Sequence, residues 1–292
     1  MRRWAWVALI AIALASAGCA PSSWAASALI HPSRRTLDRA PTGPVETFTV
    51  ASEGVSLKGW RFPARGEARG TLIVLHGIAD NRASGIGIAE RFTARGFTVI
   101  AYDSRAHGES TGDACTYGYY EKKDLGRILD TVRATPIVLL GVSLGAAVAL
   151  QAAAVDDRIS SVVAVETFSD LRTVARERAP FVLTEGMIAR AFAEAESRAA
   201  FTVDEVSPVA AAARIRVPVL LVHGADDRET KPDHSRRVYD ALTGPKRLII
   251  VPNAGHNGSL TTEVWTEIEQ WLDLRVTEAK EDTEKDQHGD TE

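Results

Sequence analysis

A serine becomes a nucleophile only where the backbone presents its hydroxyl and a base stands within hydrogen-bond reach, so the pattern Gly-x-Ser-x-Gly is informative. It occurs twice in these 292 residues, as Gly108-Glu109-Ser110-Thr111-Gly112 and as Gly141-Val142-Ser143-Leu144-Gly145. Ser143 follows the apolar run PIVLL and precedes AAVALQAAA, a strand and then a helix. That context puts it on a sharp turn, where glycines permit a strained backbone and close helix packing. Ser110 lies between DSRAH and DACTYG, which read as loop on both sides. Ser143 is the candidate nucleophile.

Seven histidines compete for the role of base. His31 and His288 lie near the chain ends, and His234 opens a helix. His76 and His223 each precede a glycine at a strand end, where a turn-forming role fits better than proton transfer. His107 belongs to the loop around Ser110. His256 sits in Asn253-Ala254-Gly255-His256-Asn257-Gly258, a flexible loop after the last apolar run, and is the candidate base. For the acid that would orient it, HGADD offers Asp226 and Asp227. Cys115 reads as an ordinary loop cysteine near the candidate site's entrance. No Cys or His cluster has metal-ligand spacing, and no GxGxxG or P-loop occurs, so neither metal nor nucleotide cofactor is expected.

These residues need a scaffold that brings strand ends together. From Val45 onward, short β-branched runs alternate with helical stretches, the signature of a mostly parallel sheet covered by helices. Val45–Ala51 and Val55–Phe62 alternate in polarity and read as an antiparallel hairpin. Thr71–Gly77, Phe97–Asp103, Pro136–Val142, Ile159–Val165, Val217–Gly224 and Lys246–Val251 are nearly continuous apolar runs, which suits strands buried on both faces. Helices fit at Arg82–Arg95, Tyr120–Arg133, Leu144–Ala154, Asp233–Leu242 and Thr262–Leu274. Right-handed crossovers would wind these into an eight-stranded, mostly parallel, doubly wound α/β sheet. Residues 167–216 break the rhythm with an Ala-rich helical stretch and read as a short helical lid.

Composition is that of an ordinary globular protein, 45% hydrophobic and 25% charged, which excludes collagen-like, disordered and polytopic membrane classes. With 34 basic against 38 acidic residues, no basic field exists to attract nucleic acid. Much of the net charge of -4 sits in residues 275–292, which read as a disordered acidic tail dispensable for catalysis. At the other end, two arginines precede the apolar run Trp4–Gly18, so residues 1–18 read as an export signal. Ala15-Ser16-Ala17-Gly18-Cys19 resembles a bacterial lipoprotein cleavage site, which implies lipidation at Cys19 and a membrane anchor, with a secreted or periplasmic protein as the alternative. Residues 19–44, rich in Ala, Ser and Pro, read as a tether to a domain at 45–274.

Ser143, Asp227 and His256 follow one another in the order nucleophile, acid, base, each after a strand. On these motifs the chain from about Val45 to Leu274 resembles an α/β-hydrolase, more narrowly the bacterial branch of serine aminopeptidase and monoacylglycerol lipase-like enzymes. The resemblance implies that Asp227, fifth residue of HGxxD, is the acid and Asp226 the fallback, with Glu166 or Asp170, just after the sixth strand, as a lesser alternative position. It implies that His76-Gly77-Ile78 is the oxyanion loop, with the backbone NH groups of Ile78 and Leu144 as donors. Asp103–Ser110 resembles the family's D-x-R-G-H-G-x-S stretch, with Ala106 in place of a glycine, which makes His107 and Ser110 loop architecture. The expected activity is hydrolysis of a small-molecule carboxylic ester with a small or apolar acyl or alcohol part. A peptidase of short peptides, or a non-catalytic binding protein on the same fold, is the alternative.

Overall fold

A run that is apolar at nearly every position has no face to give to water, so it is stable only between two packed layers. The structure, a computed structural model, describes residues 20–289 and assembles six such runs into one sheet. In chain order the elements begin with α1 (Ala20–Ile30), β1 (Glu46–Ser52), β2 (Val55–Phe62), β3 (Gly70–Leu75), α2 (Ile86–Thr93), β4 (Phe97–Tyr102) and α3 (Glu121–Leu129). They continue with β5 (Ile137–Val142), α4 (Leu144–Ala153), β6 (Ile159–Val165), α5 (Leu171–Arg178), α6 (Glu185–Ala199) and α7 (Pro208–Ala212). The chain closes with β7 (Val219–Gly224), α8 (Asp233–Ala241), β8 (Lys246–Val251) and α9 (Thr262–Gly289).

The eight strands lie in the order β1-β2-β4-β3-β5-β6-β7-β8. β2 is antiparallel to both of its neighbours, and every pairing from β4 through β8 is parallel. The opening hairpin turns on Glu53 and Gly54, both with positive φ (36° and 82°), the two-residue geometry that matches strand twist. Successive side chains of a strand point to opposite faces, which divides the core in two. Ile73, Leu75 and Leu139 join residues of α3, α4 and α8 on one face. Leu72, Val74, Val138 and Leu140 join residues of α2 and α9 on the other. Between β3 and β5 the winding reverses, and the crevice at such a switch point, outside the carboxyl ends of the strands, is where open α/β sheets place their ligands.

Toward both ends, the described residues differ from the expected tether and tail. Residues 1–18 and Cys19, expected as signal and lipidation site, lie outside the described residues. The described part of the expected tether is folded: α1 packs against α6, with Ala26 and Ile30 buried among the apolar residues of the lid helices. Small alanines let α1 approach closely, and Ser22 and Ser27 meet Glu194 and Arg198 along the seam. Beyond α1, the Arg34 guanidinium donates to the carbonyls of Gly108 (3.1 Å), Gly112 (2.8 Å) and Ser110, which fastens this segment to the body. The expected acidic tail likewise begins as part of the domain. α9 continues to Gly289, and Val276 is buried beyond the expected boundary at 274, because the amphipathic face that buries Ile268 and Leu272 repeats one turn later. The lid region folds as α5, α6, a 3-10 turn and α7, with no strand.

Candidate active site

Ser143 occupies the one-residue turn between β5 and α4 with φ 51° and ψ -109°. Such backbone strain persists only when the surroundings over-determine it, here by glycine packing on either side. A side chain on Gly141 would come within 2.3 Å of the Gly145 carbonyl oxygen, and one on Gly145 within 2.1 Å of that of Leu75. The two glycines therefore let α4 start directly against β3 and β5. The Ser143 amide donates to Val165 O at 2.8 Å, which ties the turn to β6.

The loop after β8 carries His256 back over this turn, with Nε2 3.2 Å from Ser143 Oγ. Its Nδ1 faces Asp227 Oδ2 at 2.6 Å. The other carboxylate oxygen of Asp227 accepts from the amides of Glu229 and Thr230, both at 2.9 Å. Burial pushes the Asp227 carboxyl up, but hydrogen bonds to His223 and His256 outweigh it and hold the group well below the usual carboxylate range. Burial pulls His256 down, yet its hydrogen bond to Asp227 and that carboxylate's charge leave its pKa raised above the ordinary 6.5. A neutral imidazole held in this way accepts a proton on Nε2 while the carboxylate steadies the charge that results.

Asp226, the fallback acid, is exposed, and Asp170 caps α5 by accepting from the Thr173 amide. Glu166 is fully buried just past β6, 3.5 Å from His256 Nδ1. It accepts from the amide of Asn257 (2.6 Å) and from Ser259, and so pins the loop that carries His256. His223 has a second function that its position before a glycine did not reveal. Its Nε2 lies 2.7 Å from Thr230 O and 3.2 Å from Asp227 Oδ2, which orients the loop that carries Asp227. The signal was its spacing, four residues before Asp227 at the end of a buried strand. Glu166, Asp227 and His256 also bring ligand-type atoms within 4.8 Å of one another, but those atoms are engaged in the bonds just described.

Ser110 is far from this chemistry in role. Its buried hydroxyl donates to Asp103 O (2.6 Å) and accepts from the Lys58 amide (2.9 Å). His107, held mainly by burial at a pKa of about 4, stacks edge-on against His76 in the same loop system. Ala106, where the resemblance calls for glycine, adopts φ 61°, the left-handed conformation that glycine enters without strain. Cys115 is buried rather than at an entrance, and burial pushes its thiol pKa well up, which leaves it inert. On the other side of Ser143 the turn after β3 passes close: a side chain on Gly77 would lie 3.8 Å from Ser143 Cβ. Leu144 opens α4, where the first amides have no intrahelical acceptor.

A cleft of about 780 Å3 opens over Ser143 and His256. Gly77, Ile78, Val142 and Glu166 line it, together with Arg35, Arg39, Arg91 and Arg178. Two of these arginines come from the segment expected to be a tether. Arg35 pairs with Asp80 (3.7 Å) and Arg91 with Glu269 (2.6 Å). Arg39 and Arg178 instead donate to the backbone carbonyls of Ala83 (2.9 Å) and Glu229 (2.8 Å).

Comparison with known proteins agrees with the topology. A family model described as the alpha/beta hydrolase fold matches residues 70–186, and one for PhoPQ-activated pathogenicity-related protein matches residues 192–288. The chain is 31% identical over 225 residues to the uncharacterized protein YqkD of Bacillus subtilis, covering 73% of each. Among solved structures, an esterase of Pyrococcus furiosus superposes with a TM-score of 0.68 at 22% identity, covering 86% of this chain and 98% of that one. An acylaminoacyl peptidase of Pyrococcus horikoshii superposes at 0.58 with 18% identity, over 74% of this chain and 38% of that one. At such identities the structures share the fold alone. With the strand order, the serine turn and the matched relatives together, the chain is a member of the α/β-hydrolase superfamily.

Proposed function

We propose that this protein is a serine hydrolase that cleaves carboxylic esters through an acyl-enzyme. The observation that carries this is the continuous relay from Ser143 Oγ through His256 (3.2 Å) to Asp227 (2.6 Å) on the floor of the cleft. His256 takes the Ser143 proton as Oγ attacks the ester carbonyl, and returns it to the departing alcohol. Water, deprotonated by the same imidazole, then releases the acid. The amides of Ile78 and Leu144 receive the carbonyl oxygen as it becomes an alkoxide, each such donor being worth about 3 kcal/mol in the transition state.

A fluorophosphonate probe tests the reading. Wild type and Ser110→Ala are expected to be labelled and Ser143→Ala not. Equal labelling of wild type and Ser143→Ala would overturn the assignment of the nucleophile, and an unlabelled wild type would favour a binding protein on a hydrolase fold. Acyl esters compared with aminoacyl amides then separate esterase from peptidase by kcat/KM.

A further inference from the structure

Beside the catalytic cleft runs a second cavity, an apolar groove of about 660 Å3 between α1 and the lid helices. Ala25, Ala28 and Leu29 of α1 form one wall, and Val174, Ala175 and Phe192 of α5 and α6 face them. Its inner end is made by Ile78, Ala79 and Arg178, which also line the cleft over Ser143. The two cavities are thus neighbours with three residues in common, the one at the serine lined by arginines and the other largely apolar. Six alanines, among them Ala25, Ala28 and Ala175 on facing walls, leave space that longer side chains would fill.

The outer end is apolar as well. Trp24, Pro180 and Leu183 line it, and Trp24 is 62% exposed. Phe181 and Val182, in the turn between α5 and α6, are 99% and 65% exposed. Of the five exposed large hydrophobic side chains among the described residues, these three lie on α1 or in the α5–α6 turn that also carries Pro180 and Leu183. An apolar groove that adjoins a cleft over a candidate nucleophile suits a hydrocarbon chain.

Building on the hydrolase reading, we propose that α1 is a substrate-binding element, and that the groove it forms with α5 and α6 takes the alkyl chain of an amphiphilic ester. The polar remainder of the substrate lies in the arginine-bearing cleft. The chain is carried on either the acyl or the alcohol side of the ester bond, and two substrate series distinguish these. One runs from acetate to decanoate as p-nitrophenyl esters, the other from ethyl to decyl as acetates.

In one of the two series kcat/KM is expected to climb by about fourfold per methylene until the groove is filled, since each buried methylene gains that much from leaving water. Ala28→Trp and Ala175→Phe, on opposite walls, obstruct the groove. Ala28 is exposed in the fold, so its replacement leaves folding intact. Each variant is expected to lower the ratio of eight-carbon to two-carbon kcat/KM by about tenfold or more, chiefly through KM, the space of two methylenes being lost. Flat chain-length profiles in both series, or an unchanged ratio in both variants, would sink the groove assignment while short-ester turnover leaves the hydrolase reading standing. Absence of both labelling at Ser143 and turnover of any ester would instead sink the hydrolase reading, and this inference with it.

Discussion

The chemistry of His256 is set by what touches its Nδ1. Burial alone would lower its pKa, yet the Asp227 carboxylate outweighs burial and leaves it raised above 6.5. A base works only when neutral, and the neutral fraction is lost as pH falls through the raised value. The acid limb of the kcat/KM profile is therefore expected to inflect above pH 6.5. Asp227 does not titrate in that window, because its own pKa is held far below it. Asp227→Asn should move the inflection downward and lower kcat by about 10^4-fold, as the amide no longer fixes the imidazole's tautomer. An inflection below pH 6.5 in the wild type would contradict the assignment of base and acid. At this scale the sequence was legible in its order, since Ser143, Asp227 and His256 follow three strand ends in succession and the fold brings them within hydrogen-bond reach. Glu166 and His223 were less so, because each acts through a loop whose path only the fold defines.

The least legible element is α1. Its sequence APSSWAASALI mixes Ala and Ser with a proline near the start and has no strong apolar stripe, so periodicity alone could not separate it from a linker. Its helix is stabilised by packing against the lid rather than by propensity, a contribution that local sequence does not encode. Ile30, 1% exposed, measures this directly. Ile30→Ala should destabilise the protein by about 2–4 kcal/mol in urea unfolding, whereas the same change in a tether would do nothing measurable. The strands were read correctly for the opposite reason. Runs such as TLIVL are apolar at every position, and only a doubly covered sheet gives each residue a buried partner. α9 lay between these cases. Its amphipathic first turns were readable, while its continuation through EAKEDTEKDQ has no apolar periodicity in the sequence to mark it as helix.

Over the whole molecule, the net charge of -4 is not spread evenly. Glu278, Glu281, Asp282, Glu284, Asp286, Asp290 and Glu292, against Lys280 and Lys285, leave the rest of the chain close to neutral. Among the described residues no helix is long and apolar enough to cross a membrane. For attachment we propose a lipid on Cys19, supported by the run Ala15–Cys19 and its apolar lead. In a bacterium that processes lipoproteins, wild type should sediment with membranes and Cys19→Ala should appear in the soluble fraction; retention of the variant would count against lipidation.

α1 is described from Ala20, the residue after Cys19, and by Ser22 it is already buried against Glu194. A lipid at Cys19 would consequently hold the enzyme with almost no slack, as a bracket rather than a leash. Trp24 follows about 8 Å along the helix axis at 1.5 Å per residue. The mouth of the apolar groove would then be carried at the height of the membrane surface, where an amphiphile could pass from one apolar phase to the other without crossing open water.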